Sequence, residues 1–348
     1  MILKIKNIIK FSAGDLETIT EIPTGNWLLK VNDNTGEYYL EKQPAFTLPE
    51  KVYGDVYKNV DRYLRTFSRR DKNLGILLKG LKGTGKSLTA KCLCMASDLP
   101  VILITEPFSG PAFQSFLSNI TQECIIFIDE FEKTFQTDDY RDSQSSLLSI
   151  FDGVFQGKKL FLLTANNTHT INNALLNRPG RIHYLREYEG LPQDVIREVG
   201  ADLLDDKTQL EDLLQVFQVV GEVNMDMVIS LITEMNMYKE NAREAITHLN
   251  ITPGQSSYEV IWNETKKDNL GIEREYTFYT EVHYHPLAAR KLSFYGYTKD
   301  GFKSSNSGQI DLEKMNITSD NDGKIFLKHK EGHISYEFIP AKPYKFVF

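Results

Sequence analysis

The chain has 348 residues, past the size at which one hydrophobic core usually keeps growing, so roughly two to four folding units are expected. Hydrophobic residues make up 41% and charged residues 25%, which excludes wholesale disorder and collagen-like or low-complexity architectures. Forty basic and 47 acidic residues leave a net charge of -7, a balance that opposes general attraction to a polyphosphate backbone.

From the N-terminus, Met1-Ile2-Leu3-Lys4-Ile5-Lys6 alternates apolar and basic residues and predicts a strand rather than a signal peptide. The longest apolar runs, such as Cys124–Ile128, fall far short of the roughly 20 residues that cross a bilayer. No membrane segment is therefore expected, and a cytoplasmic location is (host cytoplasm for a phage-encoded chain). Residues 1–48 are read as a small N-terminal β element. Asn26 to Val31 and Glu37 to Leu40 flank Asn32-Asp33-Asn34-Thr35-Gly36, which has the composition of a hairpin turn.

Residues 49–188 are read as an α/β domain with a parallel sheet. Apolar runs at 76–78, 101–104, 125–128 and 160–163 alternate with helical patterns, as buried parallel strands do. Residues 189–250 form a helical segment in which Val195, Ile196, Val199, Leu203 and Leu204, then Met227, Leu231 and Met235, recur at helical spacing about Gly221. Residues 251–348 return to β, with period-two positions Tyr276, Phe278, Thr280, Val282 and Tyr284 and turn signals at Asp300-Gly301 and Lys330-Glu331-Gly332. From residue 253 onward the segment holds 16 of the 39 aromatic residues, and its 13 basic and 13 acidic residues cancel. Zero formal charge with abundant Tyr and Phe suits a protein contact better than a phosphate backbone.

Three cysteines cannot all pair within one chain, and Cys92-Leu93-Cys94 lacks the two-residue gap of a zinc or redox motif, so buried free thiols are expected. His283 and His285 share one face of a predicted strand, with no third metal ligand nearby.

The chemistry concentrates between residues 80 and 181. Gly80-Leu81-Lys82-Gly83-Thr84-Gly85-Lys86-Ser87 fits a phosphate-binding loop, preceded by a strand and followed by a helix that opens through Leu88. Its glycines let backbone N–H groups turn toward a phosphate, Lys86 reaches the outer phosphates, and Ser87 offers a hydroxyl to Mg²⁺. Asp129 and Glu130 end the apolar strand 125–128, where an open α/β sheet presents its ligands. Asp129 suits the Mg²⁺ shell, directly or through water, and Glu130 suits activation of the attacking water. The strand 160–163 ends at Thr164-Ala165-Asn166-Asn167, whose amide can position water. Arg178-Pro179-Gly180-Arg181 places two arginines on a turn that can reach a phosphate bound by a neighbouring subunit.

With these residues in that order, residues 50–250 resemble an AAA+ ATPase. The resemblance implies a P-loop NTPase sheet with a helical lid, ATP and Mg²⁺ as cofactors, and a homo-oligomeric ring. It further implies Asn166 as sensor 1, Arg178 and Arg181 acting in trans, and Tyr53-Gly54 contributing backbone near adenine. One extra residue, Asn177, leaves open which arginine is the finger. Arg243 is read either as a sensor 2 residue or as a solvated helix arginine. Only about 24 residues separate Val101 from Ile125, which leaves little room for both a pore loop and an additional helix; Phe108-Ser109-Gly110 is the remaining pore-loop candidate. This short segment, and Leu148-Ser149-Ile150-Phe151-Asp152-Gly153-Val154, resemble the mitochondrial AAA chaperones that translocate the folded Rieske protein. Small AAA ATPases of tailed bacteriophages look similar too. The expected function is an ATP hydrolase that remodels or moves a protein substrate, engaged through the C-terminal β segment. A nucleic-acid motor or loader, disfavoured by charge, and an ATP-switched assembly factor are the alternatives.

Overall fold

The computed structural model describes residues 2–5, 8–11, 19–108, 110–135, 157–167, 180–251, 258–267, 273–282, 291–298, 305–319 and 324–340, with Phe151, Ile171, Leu175, Arg178 and Pro286. It divides into two compact units, residues 1–80 with 86–187, and residues 81–85 with 188–348.

In the first unit, β1 (Ile2–Ile5) and β2 (Ile8–Phe11) pair antiparallel by themselves. The remaining elements are β3 (Gly25–Val31), β4 (Tyr38–Gln43), α1 (Val56–Arg69), β5 (Leu74–Gly80), α2 (Lys86–Ala96), β6 (Pro100–Leu103), α3 (Gly110–Asn119), β7 (Cys124–Ile128), α4 (Phe131–Thr134), β8 (Lys159–Ala165) and β9 (Tyr184–Tyr188). One sheet runs β4-β3-β6-β7-β8-β5-β9. Neighbours from β3 through β5 pair parallel, while β3 and β4 are antiparallel. The expected β element at 1–48 is thus split. Its predicted hairpin forms, with Gly36 N–H donating to Asn32 O at 2.7 Å, but β3 pairs with β6 and extends the α/β sheet.

β7 and β8 are buried throughout, which explains their continuous apolar runs: helices cover both faces of such a strand. The core gathers Leu77, Ile102, Ile126, Ile128, Phe161 and Leu163 with Phe113, Phe131 and Phe135. β8 lies between β7 and β5, so the chain segments leaving all three strands emerge side by side. That is the switch point of a doubly wound sheet, where ligands bind.

The second unit contains α5 (Gln193–Leu203), α6 (Leu210–Val220), α7 (Met225–Tyr238) and the single turn α8 (Ala242–Ala245). Asn224 caps α7 and Asn241 caps α8, each accepting a backbone N–H within 3.0 Å. The predicted helical stripe is buried at Ile196, Val199, Leu204, Leu231 and Met235, whereas Leu203 faces outward.

The same unit holds seven antiparallel strands: β10 (Tyr258–Lys267), β11 (Glu273–Val282), β12 (Lys291–Tyr297), β13 (Ser305–Asp311), β14 (Met315–Ser319), β15 (Ile325–His329) and β16 (Ile334–Pro340). Their order is β13-β12-β11-β10-β16-β15-β14. Alternate residues form one core row: Tyr258, Val260 and Trp262 on β10, with Phe278, Val282, Tyr336 and Phe338 beside them. The Tyr336 hydroxyl on β16 donates to the Gln309 carbonyl on β13 at 3.4 Å, across three intervening strands, so this sheet curls over its own core. Lys330-Glu331-Gly332 turns as predicted, with Gly332 at φ 83°. Pro253-Gly254, Asp300-Gly301, Tyr284, His283 and His285 lie outside the described residues.

Cys92, Cys94 and Cys124 are free and buried, as expected; burial pushes the Cys124 thiol up to about 12. Among the described residues no group of three or more His, Cys, Asp or Glu side chains could hold a metal, and no helix is long and apolar enough to cross a membrane.

Candidate functional site

Strand register brings the acidic motif and the strand-end amide together. Ile128 pairs with Leu163, so the next residues, Asp129 just past β7 and Thr164 near the end of β8, stand at the same level. The Thr164 hydroxyl donates to Asp129 Oδ1 at 2.5 Å and accepts the Glu130 N–H at 2.9 Å. Ser87, in the first turn of α2, donates to the same Asp129 oxygen at 2.8 Å. An aspartate oxygen that accepts from two hydroxyls at a strand end is an oriented ligand, a setting that suits a hydrated divalent cation.

Glu130 takes a left-handed backbone at φ 50° and ψ 53°, a conformation that costs a non-glycine residue about 1–3 kcal/mol. The turn sends its side chain back across the strand ends, where Oε1 accepts from Asn166 Nδ2 at 3.1 Å and from Lys133 Nζ at 2.8 Å. Glu132, two residues on, accepts from both the backbone N–H and the side-chain amide of Asn166, at 3.0 and 3.1 Å. Sequence reasoning singled out neither Thr164 nor Glu132. The signal for Thr164 was a hydroxyl residue directly after the apolar run 160–163; for Glu132 it was a third acidic residue two positions after Glu130.

Lys86 opens α2 and is buried, with its ammonium donating to the Gly80 carbonyl at 2.7 Å. Burial holds its pKa below the usual lysine value, while the nearby carboxylates of Glu132, Asp129 and Glu130 pull the other way. A buried cation surrounded by anionic groups is suited to an anionic ligand that can replace water around it.

The loop itself belongs to the second unit. Leu81 N–H donates to Tyr188 O at 2.9 Å, Met225 N–H donates to Gly83 O at 3.0 Å, and Thr84 Oγ1 donates to Leu81 O at 2.7 Å. Gly83 has φ 77° and Gly85 φ 98°, values at which any side chain is strained, so the glycines are required by the loop's path. Leu88 continues α2.

Other predicted residues fall elsewhere. Arg178 is exposed, whereas Arg181 is buried at 7% exposure, and the two are linked by a turn in which Arg181 N–H donates to Arg178 O at 2.8 Å. That turn lies against β5 only because residue 75 is glycine: a Cβ there would stand 1.9 Å from the Arg181 carbonyl oxygen. Asn177 and Pro179 are outside the described residues. Tyr53 is half-buried with the Lys51 ammonium 4.9 Å above its ring, and Gly54 has φ 72°. Arg243 sits among the helices of the second unit, with Nε 3.5 Å from Asp212 Oδ1 and a guanidinium N–H donated to Gln215 at 3.1 Å. Phe108 is in the core, edge-on to Tyr38 at 5.4 Å, and Ser109 is outside the described residues. In the segment 148–154 only Phe151 is described, stacked on Phe161 at 4.0 Å.

Residues 76–187 match the family described as ATPase family associated with various cellular activities (AAA). The chain is 26% identical over 309 residues to the chloroplastic ATP-dependent zinc metalloprotease FTSH 9 of Arabidopsis thaliana, covering 81% of this chain and 36% of that protein. It is 27% identical over 233 residues to the ATPase family protein 2 homolog of Caenorhabditis elegans, covering 60% of this chain and 30% of that protein. The chain therefore spans about a third of the length of these relatives. Among solved structures, a mutant of Thermotoga maritima RuvB aligns with TM-score 0.42 and 14% identity, over 59% of this chain and 73% of that one.

Proposed function

Starting from a chain that carries an AAA ATPase domain over residues 76–187, we propose that it hydrolyses ATP at the ends of β5, β7 and β8 and uses the cycle to remodel or move a protein substrate as a homo-oligomeric ring. The observation that carries this reading is the cluster in which Ser87 and Thr164 converge on Asp129 while Asn166 holds Glu130. Mg²⁺, when bound, offsets charge on the nucleotide phosphates; Ser87 and Asp129 are the residues that would hold it, Asp129 partly through water. Lys86 and the loop amides from Gly80, Gly83, Thr84 and Gly85 bind phosphate, with Leu88 continuing the helix and Tyr53-Gly54 lining adenine. Glu130 takes the proton of the attacking water, and Asn166 orients that water.

The exposed Arg178 is the arginine that reaches a neighbouring subunit's phosphate, and the buried Arg181 supports its turn. Arg243 acts as a second sensor only if it leaves Asp212 and Gln215. The C-terminal sheet engages the protein partner. It has its own core, and Tyr295 and Tyr297 stand 71% and 46% exposed on β12. The short span between β6 and β7 supports a mode of action like that of the Rieske-protein translocating chaperones, which it resembles.

Lys86→Ala is expected to abolish ATP binding, whereas Glu130→Gln retains ATP and loses turnover, because Lys86 contacts phosphate in the ground state and Glu130 acts on water during attack. Titration with labelled ATP and a phosphate-release assay decide this. Wild-type turnover in Glu130→Gln would refute the assignment. Capture of a protein by Glu130→Gln, lost on truncation after Asn250, would support remodelling through the C-terminal sheet.

A further inference from the structure

Glu132 is 7% exposed, in a one-turn helix fixed by Phe131 and Phe135, whose rings pack 5.0 Å apart in the core. One carboxylate oxygen accepts both the backbone and the side-chain N–H of Asn166, and the other, Oε2, is buried without a hydrogen-bond partner among the described residues. Burying a carboxylate with one oxygen unsatisfied costs several kcal/mol, so this geometry is expensive where a neutral residue could fill the same space. Asn166 Nδ2 has two hydrogens, and it lies 3.1 Å from Glu132 Oε1 and 3.1 Å from Glu130 Oε1. An amide oxygen turned toward the two carboxylates would be repelled, so the NH₂ must face them, and one hydrogen goes to each. Glu132 thereby fixes which way the Asn166 amide points and, through it, where the Glu130 carboxylate rests.

We propose that Glu132 is a positioning residue for ATP hydrolysis, acting through Asn166 to hold Glu130 against the attacking water. The proposal rests on the reading of Glu130 as the water-activating group. Glu132 touches neither nucleotide nor water in this scheme, so its loss lowers kcat and leaves ATP affinity nearly intact. A displacement of about 1 Å in a positioned group can cost about 10²-fold in rate, which is the loss expected of Glu132→Ala. Glu132→Gln keeps an oxygen that accepts from Asn166, and its kcat should stay within about fivefold of wild type.

The test is steady-state hydrolysis and labelled-ATP affinity for the full chain in wild type, Glu132→Ala, Glu132→Gln, Asn166→Ala and the double variant Glu132→Ala/Asn166→Ala. Expected are the kcat loss in Glu132→Ala with ATP affinity changed by less than about threefold, rescue in Glu132→Gln, and a double variant no slower than Asn166→Ala alone. Multiplicative losses in the double variant, an unchanged kcat in Glu132→Ala, or a Glu132→Gln as slow as Ala would each overturn the proposal. Should Glu132→Ala fail to fold, Glu132→Asp keeps the charge but withdraws the oxygen by about one bond; it should lose about tenfold in kcat, and a wild-type rate in folded Glu132→Asp overturns the proposal. Glu130→Gln, measured alongside, separates the two readings. If it is inactive while Glu132→Ala turns over normally, only the role of Glu132 falls; if Glu130→Gln is fully active, the site assignment and this inference fall together.

Discussion

Replacing Thr164 with valine keeps the shape of a side chain 1% exposed and deletes one hydroxyl with two bonds. Thr164 Oγ1 donates to Asp129 at 2.5 Å and accepts the Glu130 N–H at 2.9 Å. Loss of a hydrogen bond to a charged group costs about 1.5–3 kcal/mol, and a buried N–H left without a partner about 1–3 kcal/mol. The added apolar group returns about 1 kcal/mol, leaving a net destabilisation of about 1.5–5 kcal/mol. For a unit of this size, each kcal/mol moves the midpoint by about 2–4 °C, so calorimetry should show the transition of the first unit lowered by about 3–20 °C. Thr164→Ser keeps both bonds, loses only a methyl worth about 1 kcal/mol, and should fall by about 3 °C. Because Asp129 and Glu130 share this anchor, kcat for ATP should drop about 10²-fold in Thr164→Val and stay near wild type in Thr164→Ser. A valine variant that melts within about 2 °C of wild type and turns over ATP at half its rate or better would refute the reasoning.

Lys86→Met should abolish ATP binding yet raise the thermal midpoint of the nucleotide-free protein at neutral pH, because it removes a buried charge whose pKa burial depresses. A lysine depressed in the folded state makes stability rise with pH between its folded pKa and the ordinary value of 10.5, so the advantage of Lys86→Met should shrink across that window; a wild type more stable than Lys86→Met at pH 7 contradicts it. Mixing inactive Lys86→Ala with inactive Arg178→Ala should restore turnover at boundaries that pair an intact pocket with an intact finger, and Arg181→Ala should mainly destabilise the fold. No recovery in mixtures that co-assemble would count against trans action. In the C-terminal sheet, a Cβ on Gly296 would stand 2.3 Å from the ring of buried Trp262, so Gly296→Val should cost about 1–3 kcal/mol or more and shift the Trp262 fluorescence, while unaltered urea unfolding of the second unit would argue otherwise.

The strands were legible in the sequence because their composition reports burial on both faces: the all-apolar run at 125–128 has no other stable place than the middle of a covered sheet. Ser87, Asp129, Glu130 and Asn166, which hydrogen bonds link in the structure, were singled out for a related reason, since glycines, a lysine and acidic residues at strand ends leave a local signature. Local signatures carry no strand order, and strand order decided the rest. The hairpin at residues 26–43 has the same turn chemistry whether it stands apart or extends a sheet; only pairing of β3 with β6 places it in the α/β unit. Thr164 became part of the site because β8 lies beside β7 in a register that sets it level with Asp129. Arg178 and Arg181 stand three residues apart on one turn, and packing of that turn over Gly75 leaves one exposed and the other buried. Phe108 fits a pore loop by spacing, yet contact with Tyr38 and Phe113 makes it core. Glu132 depended on tertiary structure most of all: its neighbour Asn166 is 34 residues away in the chain, and a long-range hydrogen bond leaves no periodicity to read.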